Sequence, residues 1–526
     1  MTATVTPYRS TRTGRDGFAQ LLRAEWTKFR TVRGWVLGTA GTALVMVLLS
    51  LLGAAGSNHP SCAGGSGAVA HCTGPVGPGG EAVDDGFFFV NQPLDGNGGI
   101  TVRVTSLTGL VPTSGPVPAS GGALANARPG VQPWAKAGII VKEDDTQGSP
   151  YAAVMVTGSH GVRMQDDFTG DTAGSPGAVS PESPRWLRLT RSGDTLTGYE
   201  SGDGTHWTTV GTVRLKGLPS TVRAGLFVAS PDSMEVTDHI GGASATGGPT
   251  RATGVFDRVG LQGSWPRGTW TGTGVGDRGP ATSSFDGFEE TGGSFTVSGS
   301  GDIAPAVGGM AFGSGQNIER SLIGTFAGLI ALIVVATLFV TAEYRRGLIR
   351  TTLTATPRRG RVLAAKAVVV GTAGFAAGMV GAVVAIAVVR VSGVRIHPVS
   401  TPTELRVVVG TAGLLAVTAV LALGAGAVLR RSAGAVTAVV VAIVLPYILA
   451  TASVLPAGPA DWLLRITPAA GFAIQQSLPQ YPQVDNLYTP ANGYFPLAPW
   501  VGFGVLCAYA ALVLGLAAYL LRRRDV

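Results

Sequence analysis

Six stretches of the chain run for about 20 residues or more without an acidic or basic side chain: Gly34–Ala55, Ser321–Ala342, Ala367–Val389, Val407–Leu429, Ser432–Leu455 and Leu497–Leu521. A helix crosses the hydrocarbon core of a bilayer in about 20 residues. Each run is apolar all round rather than on one face, so each predicts a transmembrane helix. Ahead of the first run, Phe18–Trp35 has helical spacing instead. Phe18, Leu22, Trp26, Phe29 and Val32 fall near one face and Arg23, Lys28 and Arg30 largely opposite, the pattern of an amphipathic helix lying in the membrane interface.

Between the first two runs the pattern changes to short strands. GITVRVTSL (Gly99–Leu107) and RWLRLTR (Arg185–Arg191) alternate apolar and polar residues. AGIIVK (Ala137–Lys142), YAAVMVT (Tyr151–Thr157) and AGLFVAS (Ala224–Ser230) are continuous apolar runs of buried-strand length. Turn sequences such as RSGDT (Arg191–Thr195) and SGDG (Ser201–Gly204) separate them. Many short strands at this spacing predict an all-β sandwich. Gly56–Gly80 and Arg267–Gly315 read as Gly/Ser/Pro linkers, with one further strand within Phe295–Pro305. The expected organisation is a cytoplasmic N-terminus (1–33), a first transmembrane helix (34–55), an inserted β-sandwich domain (56–320), and transmembrane helices two to six (321–526) with a cytoplasmic elbow at 343–361.

Composition agrees with a membrane protein. Only 13% of the 526 residues are charged, about half the soluble average, and the mean hydropathy is +0.32. The net charge of +8 suggests nucleic acid until its distribution is examined. With both termini placed in the cytoplasm, the cytoplasmic segments hold 19 basic residues against four acids, leaving 20 basic and 27 acidic residues outside. The whole basic excess lies on one side, which sets orientation by the positive-inside rule and removes the case for nucleic acid. The first apolar run exceeds a signal-peptide core and has no clear cleavage site after it. The expected location is the plasma membrane, multi-pass, with the β-domain extracytoplasmic.

The chain lacks its own energy-coupling chemistry. None of its lysines follows a glycine, so the GxxxxGK[ST] phosphate loop is absent. The six apolar runs contain no ionisable side chain, which disfavours ion-coupled transport. A glycan hydrolase would need a pair of carboxylates across the scissile bond, and no acidic cluster stands on a strand in that way. Cys62 and Cys72 lie in the outer segment, where a disulfide is permitted. Unpaired thiols, or a metal site completed by His59 and His71, are the alternatives, although the spacing matches no familiar zinc pattern. Trp134, Tyr199 and Trp207 are candidate glycan contacts, set against the commoner role of such aromatics in core or rim packing.

Two cytoplasmic segments carry a resemblance. Glu25, Trp26 and Lys28 form an E-W-x-K stretch in the interfacial helix. After the second run, Glu343, Gly347, Arg350, Leu353, Pro357 and Arg359 follow E-x-x-x-G-x-x-R-x-x-L…P-x-R, with Lys366 opening the third helix. In this the chain resembles the permeases of type 2 ATP-binding-cassette exporters. That resemblance implies six spans, no catalysis by this chain, and an elbow helix from Glu343 to Leu353 that docks a separate ATPase. ATP and Mg would be bound by that partner alone, and a second permease copy or a related permease would complete the translocation path. Asp461–Ile474 is similar to the outer re-entrant helices of the family. The succession of strands in the insert resembles a concanavalin-A-like lectin/glucanase jelly roll. The rival readings are a membrane-anchored, lectin-like surface protein without transport and an outer-surface glycan hydrolase.

Overall fold

The uncharged runs all become helices, and two of those helices, Arg359–Val391 and Thr401–Leu429, begin ahead of the charge that bounds the run. In the computed structural model, which describes residues 17–56, 75–112, 127–239, 242–266, 268–276, 286–307, 317–345, 347, 358–392, 396–452, 454–486 and 488–523, the first helix, α1, spans Phe18–Thr31. The apolar helices are α2 (Arg33–Gly56), α3 (Thr325–Arg345), α4 (Arg359–Val391), α5 (Thr401–Leu429), α6 (Ser432–Thr451) and α8 (Pro499–Arg523). The short α7 (Ala457–Ile466) lies between the last two. Six of these helices are long and apolar enough to cross a membrane, the second counted with the 3₁₀ turn Ile318–Leu322 that leads into it.

Helix α4 begins well before the uncharged run that predicts it, so Lys366 lies inside the helix and is buried. Helix α5 forms the centre of the bundle, with Leu414, Leu415, Ala419 and Leu421–Leu423 buried. It packs on α3, α4, α6 and α8. Small residues set how close α4 comes. A Cβ added at Gly378 would fall 2.8 Å from the Cα of Ala412, and one at Gly374 3.4 Å from the Cα of Ala416. Without a hydrophobic driving force in lipid, such close backbone approach is a main source of helix association. The segment that resembles a re-entrant helix forms α7 followed by a 3₁₀ stretch, Pro468–Gln475, buried along its whole length. Arg406 holds its end, donating to the carbonyls of Ile474 (3.1 Å) and Gln476 (2.7 Å).

The insert is a large, nearly closed β-sheet domain between α2 and α3. Its organising strand is Phe87–Pro112, which pairs antiparallel with Thr221–Ala229 and then Arg185–Ser192 along one edge, and with Thr271–Val275 and Arg251–Ser264 along the other. Lys136–Lys142 and Tyr151–Thr157 are buried on both faces, which is why they read as continuous apolar runs. Ile139, Val141, Val154 and Val156 enter one core, while Ile140, Ala153 and Met155 enter a second against Phe87, Phe89 and Phe227. That second core is closed by Val83, Phe168, Val275 and Ile303.

Arg267–Gly315 is therefore not simply a linker. It supplies Thr271–Val275, Gly287–Thr291, Ser294–Gly299 and Ile303–Pro305. The last of these pairs with the first strand of the domain, Val83 facing Pro305 and Asp85 facing Ile303. The two ends of the insert thus leave side by side, as insertion between two consecutive helices requires. Buried lysines pin this ladder to the central sheet. Lys142 Nζ lies 2.8 Å from Asp85 Oδ2, and Lys136 pairs with Asp302 and donates to the Ile303 carbonyl at 2.7 Å. Beyond the ladder, Gln483 of the α7–α8 connection donates to the Thr169 carbonyl at 3.4 Å.

The α4–α5 contact yields a test with an internal control. Gly378→Leu places a side chain into the Ala412 backbone and should destabilise the bundle by about 1–3 kcal/mol, the usual cost of overpacking. Gly434→Leu, where an added Cβ meets nothing within 4 Å, should leave it unchanged. Thermal unfolding of the purified protein in one detergent, followed by intrinsic fluorescence, separates the two. Equal midpoints would mean that α4 and α5 are not held by close approach.

Candidate functional site

Three segments far apart in sequence meet where α1, the end of α3 and the start of α4 converge. The inward face of α1 carries Leu22, Glu25 and Phe29, one or two turns apart on the same side. Glu25 is 1% exposed and Phe29 5%. Phe18, Trp26 and Val32, grouped with them by sequence, are 40–43% exposed and face away from the bundle. The helix has turned so that a carboxylate sits at the centre of its buried face.

The reason is Lys366. Its ammonium lies 2.7 Å from Glu25 Oε2 and 2.6 Å from Glu343 Oε1, and 4.8 Å from the centre of the Phe339 ring. Lys28 closes the cluster from the surface, 3.0 Å from Glu25 Oε1 and 3.2 Å from Glu343 Oε1. Two carboxylates and two ammonium groups make it formally neutral. Burial alone would lower the pKa of Lys28, but the Glu25 and Glu343 carboxylates outweigh it and hold that ammonium above its ordinary value. Aromatic rings wall off one side. Phe29 meets Phe339 edge-on at 5.7 Å, and Trp35 meets the same ring edge-on at 4.9 Å.

Glu343 occupies the last turn of α3 rather than the first turn of an elbow helix. The helix ends at Arg345, and Gly347, two positions on, has a φ of +66°, which suits a residue without a Cβ. An added Cβ there would meet nothing within 4 Å. Arg350, Leu353 and Pro357 lie outside the described residues. Arg359 opens α4 and its Nη1 donates to the Leu521 carbonyl at 2.7 Å, tying that helix to the end of α8. Arg430, between α5 and α6, places its guanidinium 5.4 Å from the Tyr344 ring. Of the six elbow residues and three interfacial-helix residues singled out by sequence, Glu343, Glu25 and Lys28 come together. Trp26 stacks on Phe29 at 6.1 Å but points outward.

In the β-domain the three candidate glycan aromatics divide. Trp134 is 3% exposed and stacked under His160 at 3.9 Å, so its ring is a packing element. Tyr199 and Trp207 remain half-exposed. Cys62 and Cys72, with His59 and His71, lie outside the described residues, and Cys507 is a free thiol in α8. Among the described residues no cluster of three or more His, Cys, Asp or Glu side chains suits a metal ion.

Sequence reading missed two features. Lys366 seemed a boundary charge because the uncharged run begins after it. Glu319, in the 3₁₀ turn before α3, is 9% exposed and accepts a hydrogen bond from the Ser477 hydroxyl; only its place just before an apolar run hinted at burial.

Comparison with solved structures finds a functionally unknown protein from Saccharomyces cerevisiae, 15% identical, with a TM-score of 0.20 over 34% of this chain and 75% of that one. It also finds scytalido-glutamic peptidase with a transition state analog inhibitor, 9% identical, with a TM-score of 0.24 over 42% of this chain and 100% of that one. Likenesses of this size fix neither fold nor chemistry. No curated protein sequence matches the chain. The family model described as ABC-2 family transporter protein matches residues 206–526, well over half of the chain, from within the β-domain to the end of α8. With the six apolar helices, this match establishes that the chain belongs to the ABC-2 transporter family.

Proposed function

We propose that this chain is the membrane subunit of an ATP-driven exporter in the plasma membrane, with both termini and the 343–361 elbow in the cytoplasm and the β-domain outside. A separate ATPase binds ATP and Mg and docks at the elbow, and a second copy or a related permease completes the path. The inserted domain, read as a lectin-like jelly roll, presents Tyr199 and Trp207 to a glycan.

The observation that carries the transport reading is the Glu25–Lys28–Glu343–Lys366 cluster. It joins the interfacial helix to both helices that flank the elbow, so α1, the end of α3 and the start of α4 respond together to a push on the connection between them. Helix α4 passes that displacement to α5 through the Gly374 and Gly378 contacts. Alternating access then needs a tilt of packed helices and no covalent chemistry in this chain.

Two experiments test this. Single cysteines placed in Thr354–Gly360 should react with an impermeant maleimide only from the cytoplasmic side, and cysteines in Asp194–Gly204 only from outside. Labelling of both from one side would reverse the orientation or collapse it.

The second experiment separates docking from coupling. Gly347→Trp, which adds bulk in open space at the elbow, should abolish recovery of the ATPase with the tagged chain while leaving membrane insertion intact. Lys366→Met leaves two buried carboxylates with one exposed-side partner and should cost about 3–5 kcal/mol. Glu343→Gln, the milder lesion, should still recover the ATPase but lower the ATP hydrolysis of the reconstituted complex several-fold. Wild-type recovery and hydrolysis in both Gly347→Trp and Glu343→Gln would show that the elbow is not the coupling surface.

A further inference from the structure

One face of the β-domain carries side chains that neither core uses. On the strand Arg185–Ser192, Leu187 and Leu189 are fully buried, and the alternate positions Trp186, Arg188 and Thr190 stand half-exposed on the other side. Register continues that outer face across the sheet. Arg188 lies between Tyr199 and Thr101, and Trp186 lies between Ser201 and Arg103, which in turn faces Asp257.

Cations and aromatic rings alternate on this surface. The Arg188 guanidinium sits 3.8 Å from the centre of the Trp207 ring while its Nε donates to Thr101 Oγ1 at 3.1 Å. Arg103 and Arg258 each approach the Trp186 ring at 5.9 Å. Arg103 is neutralised by a two-pronged contact with Asp257 at 2.7 and 2.5 Å. Arg188 and Arg258 have no carboxylate partner among the described residues. Arg258 is also held with φ at +51°, where the pairing register slips between Asp257 and Gly260. Bulges of this kind re-aim a side chain, and a strained non-glycine residue on an exposed edge persists where its placement matters.

We propose that this face is a binding platform for an acidic glycan. This deepens the glycan reading given above and rests on it. The guanidinium groups of Arg188 and Arg258 take carboxylate or phosphate groups by paired N–H donation. Tyr199 and the open part of Trp207 supply ring surface on which sugar rings stack. The two arginines stand on strands separated by one intervening strand, roughly 10 Å apart by the usual inter-strand spacing, so one extended polymer reaches both. The orientation of rings along a stiff sheet, rather than on mobile basic segments, favours a semi-rigid saccharide over a membrane surface.

The test uses the full chain in nanodiscs of neutral lipid, with binding read by tryptophan fluorescence and by biolayer interferometry. The probes are polygalacturonate, a phosphorylated mannan, neutral dextran, anionic vesicles and a single-stranded oligonucleotide. The expected result is binding of polygalacturonate or the mannan, whichever carries the matching anion. That binding should weaken at least tenfold in the double variant Arg188→Gln/Arg258→Gln and fall as salt rises, with an unchanged unfolding midpoint. Equal binding of dextran would overturn the acidic preference while leaving the glycan reading standing. Absence of binding to any polymer would remove both. Binding to vesicles or oligonucleotide as strong as to the acidic polymers would overturn the proposal in favour of a general anion surface, and undiminished binding by the double variant would place the ligand elsewhere.

Discussion

A lysine ammonium placed inside an apolar helix must be neutralised where it stands, because an unpaired buried charge costs several kcal/mol even after relaxation. Lys366, 1% exposed within α4, meets that requirement with Glu25 and Glu343, and much of this end of the bundle follows from it. Glu25 has to face inward, so α1 presents a carboxylate rather than Trp26 to the bundle. Phe29, one turn further on the same face, is thereby set against Phe339 and Trp35. Glu343 has to remain helical to reach Lys366, which carries α3 to Arg345 before Gly347 ends it. The elbow therefore starts from a fixed point.

The inserted domain solves a related problem with a different reach. Lys136 and Lys142 are completely buried, yet their partners Asp302 and Asp85 lie just before one and at the end of the other of the two strands that pair the ends of the insert. These ion pairs lock a domain to itself. Because its first and last strands leave together, the domain adds more than 200 residues between α2 and α3 without prying those helices apart, and α2 still packs on α3 and α4. Among the described residues, Gln483 of the α7–α8 connection donates to it at the Phe168 and Thr169 carbonyls.

How much of this was legible in sequence depends on the range of the determining interaction. The apolar helices and the strands Lys136–Lys142 and Tyr151–Thr157 were readable because burial on all sides leaves an unbroken apolar run. Arg267–Gly315 misleads because glycines such as those of Thr271–Val275 look like linker residues, while a strand that lies close across its neighbours can use them. At Gly272 an added Cβ would fall 2.6 Å from the Phe288 ring. The facing of α1 was not legible from its own periodicity. The group that turns it, Lys366, is 341 positions away from Glu25, and a helical-wheel argument assigns every charge to the solvent side. The elbow motif contains Glu343, but its spacing does not say that this side chain looks back into the protein towards Lys366.

The cluster also differs from an apolar contact in what it specifies. Well-packed hydrophobic residues of similar volume often match or exceed a buried ion pair in stability, so stability alone gives no reason for four charges here. A hydrophobic face tolerates sliding and rotation with modest loss, whereas Lys366 must keep oxygens of two separate helices within about 3 Å to retain hydrogen-bonded pairing. A displacement of α3 or α1 relative to α4 by even a fraction of a helical turn exposes a carboxylate to the Phe339 and Phe29 rings without its counter-ion. The three helices consequently move as a unit or pay a desolvation penalty. On the transport reading proposed above, a local push at the connection between α3 and α4 then becomes a tilt of the bundle rather than a deformation absorbed where it is applied.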